Sequence, residues 1–361
     1  MLETKTKFVK SQYRHPDWLA LALAAGGLAI VVAVVVLTNS FRLMPDDPPI
    51  YDPDIYLAMA QSPANPLSHV PPFEWRILTP LIVSWLSTPA LWGFFIVTML
   101  ALLACGWLIY KVCAVLSVPH PLWAIPLFFT CHYASAFLVQ NYMIVDQTCL
   151  FFVLLAFYAL FTGQSWLYII ALGVGALNKE TVLAVAVAGL FYQKADNAPN
   201  PGHWWQRNWW LLVGAGLTGG VAVGLRWLIP GSSYSLPGEV SKNINLRLSG
   251  HLLRQLFSSV ALSFGPMLLM MFYRPRHTLD WLRQHRALVV YFGLAVAQLI
   301  IASQNARLVV YGFVTVIPLV LVKLDLLSQR YKWKPFYLYS GVVTGQIIFY
   351  AVFWPHLLFW N

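Results

Sequence analysis

The chain has 361 residues, 59% of them hydrophobic and only 10% charged, against roughly 25% charged in soluble domains, which excludes a soluble globular protein. Its 23 basic and 13 acidic residues leave a net charge of +10. The basic residues lie in short loops between apolar runs, where membrane topology accounts for them, so nucleic acid is not an expected partner.

In chain order, apolar runs fall at about 18–38, 91–112, 121–139, 145–162, 166–178, 180–193, 209–229, 253–273, 287–302, 307–325 and 337–358. A membrane-crossing helix needs roughly 20 such residues, and no period-2 pattern suggests a barrel, so the spans are helices. The first run, Trp18 to Leu37, is long for the apolar part of a signal peptide and lacks a small-residue cleavage site before Asn39. It reads as a retained span. An amphipathic piece, 76–87, lies beside the membrane in the first outer loop, 39–90. The expected fold is therefore an all-α, polytopic integral membrane helix bundle of about 11 transmembrane helices plus that short juxtamembrane helix. It forms a single domain over 1–361, with a second outer loop at 230–252 and no soluble C-terminal domain. Cys105, Cys113, Cys131 and Cys149 all lie in apolar runs without C-x-x-C spacing and read as inert core thiols.

The pair 166–193 reads either as one long helix or as two short ones meeting at Asn178-Lys179-Glu180. Charge decides between them. As a hairpin, the pair leaves fifteen of the 23 basic residues on the side of the N-terminus, including Arg274, Arg276, Arg283, Arg286, Lys323, Arg330, Lys332 and Lys334. As a single span it scatters them. The positive-inside rule selects the hairpin and a cytoplasmic N-terminus. Residues far apart in sequence then share the outer side: Asp46, Asp47, Asp52, Asp54, Glu74, Arg76, Asp146, Lys179, Glu180, Glu239 and Arg307.

Five of the scarce carboxylates sit in the first outer loop: Asp46, Asp47, Asp52, Asp54 and Glu74. Asp52-Pro53 fits an N-cap followed by proline at the first helical position; the functional reading is a general base for an acceptor hydroxyl. Arg76 fits either a lipid headgroup contact or a forked donor to a phosphate. Asp146 opens an apolar helix, either as a cap or as a site carboxylate. Lys179 and Glu180 are adjacent, so on a helix they face different partners; a buried pair of this segment with Asp146 or Arg307 is the structural alternative. Lys242, Arg247, His251, Arg254 and Arg307 suggest a cationic rim for an anionic head group. A divalent metal is compatible with the loop carboxylates, but no complete ligand set is visible in the sequence. There is no P-loop, no G-x-G-x-x-G and no H-E-x-x-H. An outer-face enzyme without a nucleotide site needs a donor delivered through the membrane, such as a lipid-linked phosphate.

Four segments, in order, resemble the GT-C glycosyltransferases, membrane enzymes that use polyprenyl-phosphate-linked sugars. Asp52-x-x-x-Tyr56-x-x-x-Ala60 resembles their first-loop acidic motif. The run from Ile144-Val145-Asp146-Gln147 to Leu160 is similar to a later span of the dolichyl-phosphate-mannose and aminoarabinose transferase branch. Gly175-Ala176-Leu177-Asn178-Lys179 resembles that branch's Gly-x-x-Leu-Thr-Lys segment, and Arg307-Leu308 to Ile317-Pro318-Leu319 its Arg-Tyr-Leu…Pro segment. The branch's Asp-Glu pair is Asp52-Pro53 here, so Asp54 shares or takes the base role in that comparison.

The resemblance implies transfer of a sugar from a polyprenyl-phosphate donor to a glycan, lipid or protein hydroxyl, with inversion. Asp52 or Asp54 is then the base, and Arg76, Lys179 and Arg307 hold the phosphate. Asp146, Glu180, Tyr56 and Glu74 orient those cations or bind the sugar. The setting implied is the bacterial inner (plasma) membrane, among membrane lipids, with the site on the periplasmic side. The competing class is a transporter or flippase of a lipid-linked or anionic substrate, which should show internal repeats and polar groups at mid-membrane depth. No repeat is visible, and the ionisable residues are expected at one edge. A surface-glycan polymerase or ligase is a further alternative.

Overall fold

The computed structural model describes residues 15–38, 52–62, 73–131, 136–192, 204–229, 260–261, 263–301 and 310–357, and every regular element in them is helical. Among the described residues, three helices are long and apolar enough to cross a membrane: α1 (Asp17–Leu37), α4 (Ala90–Val115) and the Asn208–Leu228 part of α10 (Trp204–Leu228). Their outward faces carry bare apolar side chains, with Trp18, Leu37, Leu100 and Trp227 each more than half exposed. Such faces suit lipid rather than water.

α1 runs antiparallel to α4, fastened at one end by Lys111 to Asp17 at 3.0 Å and by the Tyr110 hydroxyl donating to the His15 carbonyl at 2.9 Å. Between them wedges Phe129 of α5 (Ala124–Phe129). A Cβ on Gly27 would lie 2.7 Å from the Phe129 ring, and one on Gly106 2.6 Å from it. Only the absence of side chains at these two positions lets the ring enter, the small-residue packing common where helices meet in lipid.

The expected run 121–139 is broken. A 3-10 turn at Pro121–Trp123, α5, and α6 (Ala136–Gln140) replace a single helix. Pro126 stands in the first turn of α5, where its missing N–H is tolerated, and the chain leaves the helix at Thr130 and Cys131. The amphipathic piece expected at 76–87 is present as α3 (Leu78–Trp85), preceded by a 3-10 turn at Phe73–Trp75. α2 (Asp52–Gln61) packs on α3 and α4, so α2 and α3 form a lid over one end of the bundle.

α7 (Asp146–Thr162) ends at Gly163 in the left-handed conformation that favours glycine, and the chain reverses into α8 (Ser165–Ala176). α8 stops, a turn at Leu177–Lys179 follows, and a 3-10 segment at Glu180–Val182 leads into α9 (Leu183–Gly189). The Tyr168 hydroxyl reaches the Val185 carbonyl at 3.4 Å, so α9 folds back along α8. The hairpin expected from charge is therefore present. Its arms are short: the 12 residues of α8 rise about 18 Å, against roughly 30 Å of hydrocarbon. Both designs return the chain to the side it left, so the charge argument does not distinguish two full spans from a half-depth hairpin.

The last third contains α11 (Met267–Phe272), α12 (Pro275–Gln284), α13 (Arg286–Ile301), α14 (Phe313–Tyr331) and α15 (Pro335–Leu357). α12 is an amphipathic helix that the sequence reading left inside a basic loop; it buries Thr278 and Trp281 and exposes Arg276 and Arg283. Lys323 of α14 donates to the Arg274 carbonyl at 3.1 Å, and His120 lies 4.0 Å from Asp325. One end of the bundle thus collects Asp17, Lys111, His120, Lys323, Asp325 and the arginines of α12. The lid of α2 and α3 covers the other end. Outer loop 230–252 lies outside the described residues.

Replacing Gly106 with Val should push Phe129 out of its seat and destabilise the α1–α4–α5 contact by roughly 1–3 kcal/mol. A lowered thermal midpoint in detergent checks this, and a Gly106→Val protein as stable as the parent would refute the wedge.

Candidate functional site

The turn after α8 is the centre of the site. Asn178, fully buried, donates from Nδ2 to the Val145 carbonyl at 2.8 Å and accepts from the Thr79 hydroxyl at 2.5 Å. Thr79 and Thr148 share a further hydrogen bond at 2.6 Å, and the Leu78 N–H donates to the Leu177 carbonyl at 3.1 Å. One amide side chain therefore joins α3, the start of α7 and the hairpin tip. A buried turn needs such partners, because its backbone and side-chain polar groups cannot reach water.

Lys179 has an extended backbone, φ −166° and ψ 138°, which sends the side chains of Lys179 and Glu180 in different directions. Lys179 Nζ donates to Asp146 Oδ1 at 2.5 Å, and the Tyr311 hydroxyl donates to the same oxygen at 2.8 Å. Lys179 also lies 5.5 Å from the centre of the Tyr311 ring. Both members of this ion pair are buried, at 4% and 3% side-chain exposure.

Glu180 takes the other direction. Arg76 grips it with a fork, Nε to Oε2 at 3.2 Å and Nη2 to Oε1 at 2.7 Å, the paired geometry that makes arginine suited to carboxylates and phosphates. Arg76 Nη1 also donates to the Tyr56 hydroxyl at 3.1 Å. Burial works against the Arg76 charge, but Glu180 and Tyr56 outweigh it and hold its pKa above the ordinary arginine range. In this pair Arg76 is buried, while the Glu180 side chain is 43% exposed.

Tyr56 brings α2 into the same cluster. Asp52 is one helical turn before Tyr56, on the same face; Asp54, two residues on, points about 200° round the helix. Asp52 is half-buried and Asp54 buried. The face that holds Arg76 therefore carries Asp52. Glu74 and Trp75 are buried beneath, and Arg226 of α10 stacks on the Trp75 ring at 4.8 Å.

The structure brings together Tyr56, Arg76, Glu180, Lys179 and Asp146, and Asp52 lies one helical turn from Tyr56 on the same face of α2. Arg307, Lys242, Arg247, His251 and Arg254 lie outside the described residues, as do Asp46 and Asp47. Sequence reasoning missed Tyr311, Thr79 and Arg226. Tyr311 follows four residues after Arg307 in a segment already singled out, which was the available signal. Among the described residues no group of three or more His, Cys, Asp or Glu is placed to hold a metal ion. The four cysteines are buried, as their apolar setting led one to expect.

Depth differs from the sequence expectation. The Thr98 hydroxyl donates to the Tyr142 carbonyl at 2.7 Å, and the Cys105 thiol lies 4.0 Å from the Gln147 carbonyl. Asp146 is therefore level with residues 98–105 of α4. Roughly 12 Å of α4 lies beyond Thr98 and roughly 15 Å beyond Cys105, at 1.5 Å per residue. Asp146, and Lys179 bonded to it, sit level with the middle of a membrane-length helix, not at its edge. The reason is the short hairpin, whose tip stops where α7 begins.

Lys179→Met should leave Asp146 as a buried, uncompensated charge and cost about 3–5 kcal/mol. Lys179→Met with Asp146→Leu should recover most of that loss. Thermal unfolding of the two proteins measures it, and a double variant no more stable than the single one would contradict the pairing. No family model, curated protein or solved structure matches this chain.

Proposed function

We propose that this chain is a membrane glycosyltransferase that moves a sugar from a polyprenyl-phosphate donor to an acceptor hydroxyl, with inversion. The observation that carries the reading is the cluster of Tyr56, Arg76, Glu180, Lys179 and Asp146, with Asp52 one helical turn from Tyr56, drawn from four distant segments. It combines a half-buried carboxylate, a forked cation and a buried cation with its own counter-ion, all inside an apolar bundle. In this reading about eleven apolar segments enter the membrane, the N-terminus is cytoplasmic, and the α2–α3 lid is on the outer side of the bacterial inner membrane.

Asp52 accepts the proton of the acceptor hydroxyl, with Asp54 second in line because it faces away from Arg76. The acceptor oxygen attacks the anomeric carbon, the bond from that carbon to the phosphate oxygen breaks, and polyprenyl phosphate leaves with the bonding electrons. Arg76, Lys179 and Arg307 neutralise the charge that grows on the phosphate. Glu180 occupies the Arg76 fork, so an entering phosphate would exchange one anion for another on the same guanidinium. Asp146 and Tyr311 keep Lys179 aimed while its other N–H groups turn to the donor. Acceptors compatible with this chemistry are glycans, lipids and proteins.

A transporter of a lipid-linked or anionic substrate is the second reading, favoured by the interrupted hairpin and by charges level with the middle of α4. A glycan polymerase or ligase shares the donor chemistry of the first.

Purified protein given short-chain polyprenyl-phosphate sugars should release polyprenyl phosphate. Asp52→Asn should lower kcat by about 10²–10⁴-fold with donor binding kept. Full turnover in both Asp52→Asn and Asp54→Asn would remove the base assignment, and substrate crossing proteoliposomes without bond cleavage would favour transport. Orientation has its own check: single cysteines at positions 52 and 280 should label from opposite sides of the membrane, and same-side labelling would overturn the topology.

A further inference from the structure

At the end of the bundle away from the lid, α14 and α15 are joined by a tight turn whose shape is fixed from within. Lys332 has φ 54° and ψ 29°, a left-handed conformation that a lysine rarely adopts. Ser328 holds it there: its carbonyl accepts from the Trp333 N–H at 3.1 Å, and its hydroxyl donates to the Trp333 carbonyl at 2.8 Å. The turn sets Lys332 and Lys334 on either side of Trp333, all exposed.

Below the two lysines a groove of about 630 Å³ runs along the first turns of α15. It is lined by Lys332, Trp333 and Lys334 of the turn and by Tyr337, Leu338, Gly341 and Val342 of α15. Gly341 leaves open space in it, since a Cβ there would meet nothing within 4 Å. Trp333, Phe336 and Tyr337 are 56%, 64% and 67% exposed. Exposed aromatic rings beside lysines mark the level where helices leave the hydrocarbon. The groove therefore passes from cations, through an aromatic belt, to an apolar helix face, in the order of phosphate, glycerol and acyl chain in a phospholipid.

We propose that this groove is a binding site for an anionic phospholipid, its headgroup phosphate between Lys332 and Lys334 and one acyl chain lying over Gly341. The charge complementarity selects an anionic over a zwitterionic lipid. The chain groove selects a lipid over a free phosphate ion. The neighbouring arginines of α12, Arg276 and Arg283, are exposed at the same end and extend the positive field towards the same leaflet.

The test is native mass spectrometry of the full chain in mild detergent, titrated with dioleoyl phosphatidylglycerol or dioleoyl phosphatidylcholine. Phosphatidylglycerol should be retained about thirtyfold more tightly, from about fivefold for each of two lysines beside an anionic headgroup. Lys332→Asn with Lys334→Gln should bring it down to the phosphatidylcholine level; asparagine keeps the left-handed turn comfortable. Gly341→Leu keeps both charges, improves helix propensity, has room in the free protein, and should weaken retention of either lipid by filling the groove. Equal retention of the two lipids by the parent protein, or a phosphatidylglycerol preference that survives both variants, would overturn the proposal. So would loss of the preference on adding inorganic phosphate alone, which would identify an ion site without a chain. Unchanged thermal midpoints in the variants separate these outcomes from misfolding.

Discussion

A helical hairpin whose arms stop short of the full membrane depth must bury its turn among apolar helices. A buried turn carries backbone and side-chain polar groups that have no water to reach, so each needs a partner inside the protein. Here Asn178 supplies the answer by bonding the Val145 carbonyl on one side and Thr79 on the other. Removing that amide would detach three elements at once: α3, the start of α7 and the hairpin tip. The lid of α2 and α3, and with it Tyr56 and Asp52, depends on this joint for its position.

The same turn decides the electrostatics. Because the backbone at Lys179 is extended, two adjacent and opposite charges separate instead of neutralising each other. Lys179 goes inward to Asp146 and Tyr311, and Glu180 goes outward to Arg76. A buried pair adds little net stability but is costly to break, because the remaining charge is stranded. That asymmetry makes the inner pair a fixed part of the architecture. The outer pair, with its carboxylate partly exposed, is the exchangeable one, and an anionic ligand would compete there. The Arg76 fork and the left-handed turn at Lys332 belong to separate surfaces of the bundle.

Much of this was legible in particular residues. The apolar runs around Trp18–Leu37 and 91–112 reappear as α1 and α4, because helix is the way a long apolar segment satisfies its backbone without water. The Asp52 to Tyr56 spacing marked one helical face, and α2 keeps that face towards Arg76. Adjacent Lys179 and Glu180 were expected to serve different partners, and they do. What failed was continuity at 121–139, which breaks at α5 and α6; the hairpin at 166–193 is present, with arms shorter than the depth of a membrane. Hydropathy averages over a window and does not register where a helix stops, nor how deep in the bundle its end falls.

The sequence by itself determined that this protein is apolar and helical, since a long apolar segment in lipid must satisfy its backbone internally, and that most of its few charges fall between the apolar runs. Which charge meets which was decided by the tertiary structure. Arg76 and Glu180 are 104 residues apart, Asp146 and Lys179 33 apart, and Tyr311 a further 165 residues beyond Asp146. No periodicity spans such separations. The pairing follows from where α8 ends relative to α7, and that is set by side-chain packing between helices, which a linear pattern of apolar residues does not encode.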